Sequence, residues 1–427
     1  MNQAFFRQLL AAGPLLLDGA TGTHLQAAGM PAGVCPETWV LEHPAVLQDL
    51  QRAYYDAGSQ IVYAFTFGAN RAKLSHYHLD GTDVTALNQR LAALSIAVRD
   101  ENRKAWPDRP VFVAGDLAPT GRFLYPAGDL TLGELVDIFR EQVRGLLAAG
   151  VDLFVAETML DMAEARAAVL AVRAECDLPV MVSLTMEANG RTLSGNSLTE
   201  GLLTMVSLGA SAFGVNCSFG PEKLGSLIQP LLAISPVPLL LKPNAGLPCV
   251  VDGRTVFPMD AAAFAAAMTR LVHSPVRLIG GCCGTGPDHI RQLGLALTAD
   301  IQPSQAGQPI QSDLPRLICS ARETWPVDDL SRCPVVEVND PDSLLDDVLT
   351  AAEDEPPAIC LDLDNAADAA AVPQLLETLQ QLQVMIRMPL IFRSEDTALI
   401  QQLVDHYNGR PGIITSQANR PNGPLYL

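Results

Sequence analysis

Eight short, almost wholly apolar runs, each separated from the next by a segment with helical spacing, constrain this chain more than any other feature. The runs are LLLD (15–18), IVYAF (61–65), VFVAGD (111–116), LFVAET (153–158), VMVSLTM (180–186), FGVNCS (213–218), LLLKPN (239–244) and LIGGCC (278–283). They do not alternate between apolar and polar residues, so they read as strands buried on both faces, the signature of a parallel sheet covered by helices. The intervening segments at 131–150, 161–176 and 258–274 repeat apolar residues every three and four positions and read as amphipathic helices. Eight such units within about 300 residues suit a closed (β/α)8 barrel better than an open doubly wound sheet. The expected class is α/β, with a TIM barrel over residues 1–300.

The polar residues sharpen this expectation. Asp18, Asp116, Glu157, Cys217, Asn244, Cys282 and Cys283 all fall at the C-terminal ends of their runs. In barrels of this kind that end carries the functional site. Past the last barrel helix, residues 301–314 are rich in Gln, Pro, Ser and Gly and read as a linker. Residues 315–427 hold four further apolar runs, at 333–340, 358–364, 388–394 and 411–416, with a helical segment at 371–386. They read as a smaller α/β domain, too short for a second complete barrel.

A net charge of −19 argues against nucleic acid or an anionic membrane surface as a partner. The amphipathic N-terminus lacks a basic region and a long apolar core, so it reads as a helix rather than a signal. No run approaches the roughly 18 apolar residues of a membrane span, and the expected location is the cytoplasm. Nine cysteines in a long chain suit a reducing compartment, where thiols act as ligands, nucleophiles or small hydrophobes.

Cys282 and Cys283 are adjacent, with glycines on both sides. Neighbouring cysteines form only a strained disulfide, which counts against a redox dithiol. Three thiolates on a tetrahedral zinc leave one position open, the arrangement needed to bind and activate a further thiol. Cys217, at another strand end, could complete such a set. The bland alternative is a buried small hydrophobe, and that reading is kept for Cys35, Cys176, Cys249, Cys319, Cys333 and Cys360. His76 and His78 read as exposed.

The stretches LLLDGATGTHLQ (15–26), TFGANRAKL (66–74), GDLAPTG (115–121), AETMLD (156–161), GVNCSFGPE (214–222), PNAG (243–246) and GGCCGT (280–285) together resemble the homocysteine S-methyltransferase family, in particular the homocysteine-binding barrel of cobalamin-dependent methionine synthases. The resemblance implies zinc held by Cys217, Cys282 and Cys283, one ion per chain, with Asn244 at the open position until the substrate thiol displaces it. It further implies that Asp18, Glu157 and Thr66 lie near the amino group of homocysteine. The amides of Gly19, Ala20 and Thr21, and those near Ser218, would serve its carboxylate. Two positions depart from the family pattern: Phe65 stands where asparagine is common, and Lys242 precedes PNAG where an acidic or apolar residue is expected.

The methyl donor is less legible. No D-x-H-x-x-G motif is present, so this chain is not expected to bind a corrinoid itself. Residues 314–416 are similar to pieces of a pterin-binding barrel and read as a reduced remnant of one. A methylated corrinoid on a separate protein is the expected donor, with a small donor of the S-methylmethionine or betaine type as the alternative. A non-catalytic zinc or amino acid binding protein is the reading from a different class.

Overall fold

The computed structural model describes residues 1–251, 254–300, 313–328, 332–364, 371–417 and 424–427. The eight expected strands form: β1 (Leu15–Leu16), β2 (Ile61–Tyr63), β3 (Phe112–Leu117), β4 (Leu153–Met159), β5 (Val180–Leu184), β6 (Ala212–Cys217), β7 (Leu239–Pro243) and β8 (Val276–Ile279). All are parallel, in the order β1-β8-β7-β6-β5-β4-β3-β2. The ring is joined between its first and last members by a parallel bridge from Leu17 to Ile61 and by Gln60 N donating to Leu16 O at 2.7 Å. The barrel inferred from strand count is therefore what the chain adopts.

Successive strand residues divide between two apolar environments, which is why the runs show no polar alternation. Leu15, Leu17, Ile61, Tyr63, Phe112, Ala114, Leu153, Val155, Met181, Ala212, Leu240 and Leu278 fill one cluster together with Phe6 and Leu10 of the N-terminal helix Gln3–Ala12. That cluster is the barrel interior, with the helix packed into it. Their strand neighbours, among them Val62, Val113, Phe154 and Val182, pack instead with the surrounding helices. Capping boxes start two of those helices, Thr131 with Glu134 before Leu132–Ala149 and Ser197 with Glu200 before Leu198–Ser207. The helix expected at 258–274 is shorter, Ala261–Thr269, because Asp260 caps its start and accepts from Ala263 N.

The C-terminal residues build a separate five-stranded parallel sheet, in sequence order: Val335–Glu337, Ile359–Asp362, Leu390–Arg393, Gly412–Ile414 and Leu425–Tyr426. Helices Leu344–Ala352, Val372–Met385 and Thr397–His406 cover it, with their own apolar core. An antiparallel hairpin, Leu317–Cys319 with Thr324–Pro326, precedes it and was not foreseen in the sequence. The expected linker lies almost wholly outside the described residues.

The small unit packs on the side of the barrel beneath the β4 and β5 loops. Arg166 of helix Met162–Glu175 donates to Asn408 Oδ1 at 2.6 Å, Val404 O at 3.1 Å and Asp405 O at 2.5 Å. Asn196 Nδ2 donates to Ala321 O at 2.6 Å, and Thr324 Oγ1 to Glu200 Oε1 at 3.1 Å. Among the described residues, no helix is long and apolar enough to cross a membrane.

Candidate metal centre

Cys217 ends β6 with φ 56°, and Ser218 follows with φ 55°. Two consecutive non-glycine residues in the left-handed region are costly, so something must hold them there. Ser218 Oγ accepts from Met186 N at 2.6 Å, donates to Asn216 O at 3.2 Å and lies 3.0 Å from Thr185 Oγ1. The buried Asn216 braces the neighbouring strands. Its Oδ1 accepts from Thr158 N and Ser183 Oγ, both at 2.9 Å, and its Nδ2 donates to Thr158 Oγ1 at 2.7 Å and Glu157 Oε2 at 3.3 Å.

The other two thiols stand on the turn after β8. Cys282 N donates to Pro243 O at 2.7 Å, Cys283 N to Asn244 Oδ1 at 3.0 Å, and Gly281 N to Asp18 O at 3.1 Å. Thr285 closes the turn through its amide and hydroxyl, both donating to Cys282 O at 3.1 and 2.7 Å. The ends of β1, β7 and β8 are thereby tied together, and the sulfurs of Cys217, Cys282 and Cys283 all lie within 4.8 Å of one another. A tetrahedral zinc with bonds of about 2.3 Å would space its sulfurs roughly 3.8 Å apart, so the donor set fits that ion. Among the described residues this is the one such group of potential ligands, and neither His76 nor His78 approaches it.

Hydrogen bonding with Cys282 and Cys283, and from the Asn244 amide and the Ser218 N–H, pulls the Cys217 thiol down to about 3 against the cost of burial. The same hydrogen bond to Cys217 pushes Cys282 well up, with Cys283 at about 11.

A cavity of about 340 Å³ opens over the cluster, within the range of small-molecule sites. Asp18, Gly19, Ala20, Thr21, Glu157 and the three cysteines are among the residues that line it. Asp116 is buried, with the half-buried Glu157 beside it. Burial, opposed by Lys242, lifts Glu157 to about 7, and burial together with Glu157 lifts Asp116 well above the usual carboxylate range. Such a pair suits an incoming ammonium.

Other expected residues are placed differently. Thr66 is fully buried, and its hydroxyl is spent on Asp116 O at 2.7 Å; it positions β3 and does not line the cavity. Ser218 serves the Cys217 turn, and Asn244 serves Cys283 and Cys217. The amide of Ala20 already donates to Thr285, at 3.2 Å to Oγ1, leaving Gly19 and Thr21 as the better placed of the three. Cys249, read as a buried hydrophobe, is exposed, because the strand Cys249–Val251 belongs to a hairpin outside the barrel.

Sequence reasoning also missed Glu37, Phe67 and Thr158 on the cavity wall. Glu37, in the first turn of helix Pro36–Glu42, accepts from Gly68 N at 2.7 Å, a contact between a helix and the loop after β2 with no sequence signal. Lys242, noted only as a departure, is fully buried on the wall, 2.6 Å from Asp18 Oδ1. Burial opposes its charge, but Asp18 and Glu157 outweigh burial and hold the ammonium above its ordinary value.

Comparison with known proteins finds relatives of the chain. The chain is 28% identical over 447 aligned residues to the methionine synthase of Mycobacterium tuberculosis, covering 95% of this chain and 36% of that protein. It is 32% identical to the methionine synthase of Mycobacterium leprae, over 68% of this chain and 25% of that protein. The chain thus spans about a third or less of these relatives. Crystal structures of the Escherichia coli homocysteine methyltransferase MmuM superpose with TM-scores of 0.58 in a metallated form and 0.56 in an oxidized form, at 25% and 26% identity. They cover 68% and 67% of this chain and 99% and 96% of MmuM. The family model for homocysteine S-methyltransferase matches residues 15–297, the whole barrel from β1 to the last helix, and the chain belongs to that family.

Proposed function

We propose that this chain transfers a methyl group to the thiol of homocysteine, giving methionine, with zinc held by Cys217, Cys282 and Cys283. The observation that carries this reading is the convergence of three thiols on a cavity whose lining also carries the Asp116–Glu157 carboxyl pair. The metallated form of MmuM supports a metal in this family. When bound, zinc supplies a Lewis acid that keeps a fourth thiol deprotonated at neutral pH, where a free thiol with a pKa near 8.5 is mostly protonated.

The protein's residues do the rest. Asn216 and Ser218 hold Cys217 in its strained turn, and Gly284 with Thr285 holds the vicinal pair. The carboxyl pair takes the ammonium of the amino acid and fixes the reach to the sulfur. The acceptor's S–H proton leaves, its sulfur forms the S–CH₃ bond, and the bond from methyl to the donor breaks with its electrons going to the donor. The cavity stays open to solvent on the donor side, as a donor on another molecule requires.

The donor in this reading is a methylated corrinoid carried by a separate protein, in keeping with the likeness to methionine synthases. S-methylmethionine or a betaine-type compound is the alternative. The setting is the cytoplasm, whose reducing poise keeps the three thiols available.

Metal analysis with homocysteine titration tests the reading. About one zinc per chain, lost in Cys217→Ser, and release of roughly one proton on binding homocysteine are expected. Zinc without proton release would leave a structural metal site only. A donor screen with homocysteine then separates the sources: methionine formed from methylcobalamin alone supports the corrinoid, and methionine from a sulfonium or betaine alone supports the small donor.

A further inference from the structure

We infer that Lys242 reads the carboxylate of the acceptor and so confines the site to thiols that carry one; this deepens the thiol-methylation reading above and rests on it.

Lys242 rises from β7 into the barrel with its side chain 4% exposed, and it is the one lysine or arginine among the residues lining the cavity. Its Nζ lies 2.6 Å from Asp18 Oδ1 and 3.7 Å from the centroid of the Tyr63 ring. Asp18 Oδ2 in turn accepts from Tyr63 N at 2.8 Å. Both oxygens of Asp18 are thus engaged, and the ammonium beside Asp18 belongs to the protein.

Two consequences follow. The acceptor's own ammonium is directed away from Asp18 to Asp116 and Glu157, where Asp116 Oδ1 is buried without a hydrogen-bond partner. The lysine also has capacity to spare. An ammonium has three donors, and Asp18 is its one hydrogen-bond acceptor among the described residues. A buried ion pair is a weak device for stability alone, since an apolar pair of the same volume usually serves as well or better. A cation on the wall of a cavity whose other charged side chains are all carboxylates has a different use: it offers the single fixed positive charge to which a substrate carboxylate can attach. The amino acid is then held at both ends, ammonium at Asp116 and Glu157, carboxylate at Lys242 and the neighbouring Gly19 and Thr21 amides, with its sulfur left for the cysteine cluster.

The test is calorimetric binding of two thiols to the zinc-loaded chain: homocysteine, and 3-aminopropane-1-thiol, which has the same skeleton without the carboxylate. The native chain is expected to prefer homocysteine roughly 10- to 100-fold, the worth of a hydrogen bond to a charged group. In Lys242→Met the preference falls to within about threefold, through loss of homocysteine affinity alone. Because this variant strands Asp18, the double variant Asp18→Asn/Lys242→Met is measured beside it, with zinc content confirming the fold, and the same collapse is expected. Preference surviving in the double variant, or parallel loss for both thiols, overturns the assignment. Equal binding of both thiols by the native chain overturns it while thiol activation stands. Binding of neither overturns thiol activation and this assignment together.

Discussion

Asn244 Oδ1 accepts the amide hydrogen of Cys283 at 3.0 Å, fastening the end of β7 to the second of the vicinal cysteines. The same side chain, by hydrogen bonding, also helps lower the Cys217 thiol. One carboxamide thus touches both arms of the cluster. Replacing it leaves all three sulfurs but loosens their spacing. Asn244→Ala is expected to retain zinc with affinity reduced roughly 10- to 100-fold, the usual cost of losing an outer-shell partner. Competition with a chromophoric chelator measures it, and unchanged affinity would show that the turn alone fixes the sulfurs.

Glu164 shows how burial sets the pH response of the apoprotein. It sits 3% exposed under the β3 loop and accepts from Thr120 N and Oγ1 at 2.6 and 2.5 Å. Burial raises it from 4.5 to about 7, despite those hydrogen bonds. Between these values the folded state holds a proton that the unfolded state has lost, so this residue makes stability fall as pH rises from about 4.5 through 7. Glu164→Gln keeps an acceptor for Thr120 without the charge. It should match the native chain near pH 4 and exceed it at pH 8 by about 3 kcal/mol at most, from a shift of roughly 2.5 units. Urea unfolding at the two pH values checks this, and an equal difference at both would refute it.

Arg166 is the buried link between barrel and small unit. Burial draws its guanidinium down to about 10, with Asp405 and Asp161 opposing, and three of its bonds end on the C-terminal unit. Arg166→Met preserves the stem but leaves those acceptors without their donor, a loss of about 2–4 kcal/mol. The expected sign is an earlier, separate unfolding step of the small unit and faster proteolysis within it. A single unfolding transition at the native midpoint would contradict it.

Much of this site was legible because strands buried on both faces leave continuous apolar runs, and polar residues at their ends stand out against them. Cys217, Cys282 and Cys283 could be grouped from two such ends. What depended on closure of the ring was not legible. Lys242 on β7 meets Asp18 after β1 across the intervening β8, a neighbour relation with no trace in local spacing. Thr66 follows a strand end like the others, yet its hydroxyl turns to the Asp116 backbone, and a one-residue change in direction is invisible to periodicity. The left-handed turn at Cys217 and Ser218 escaped for a related reason: neither residue type favours it, and side chains from β4, β5 and β6 impose it.

The glycine after the vicinal pair carries a sharper demand. Gly284 has φ +80°, and a Cβ there would lie 2.2 Å from Phe257 Cβ. Both the left-handed backbone and the ring forbid a side chain, and relieving either means moving Cys283 away from Asn244. Strain at φ costs about 1 kcal/mol, and the collision adds to it by displacing the turn that presents two of three sulfurs. Gly284→Ala is therefore expected to fold, since the barrel core lies elsewhere, while losing zinc affinity by more than Asn244→Ala does. Circular dichroism with metal titration separates the two effects. Native zinc affinity in a folded Gly284→Ala chain would mean that the turn can shift without disturbing the sulfurs, and that the closeness of Phe257 is incidental to the metal centre.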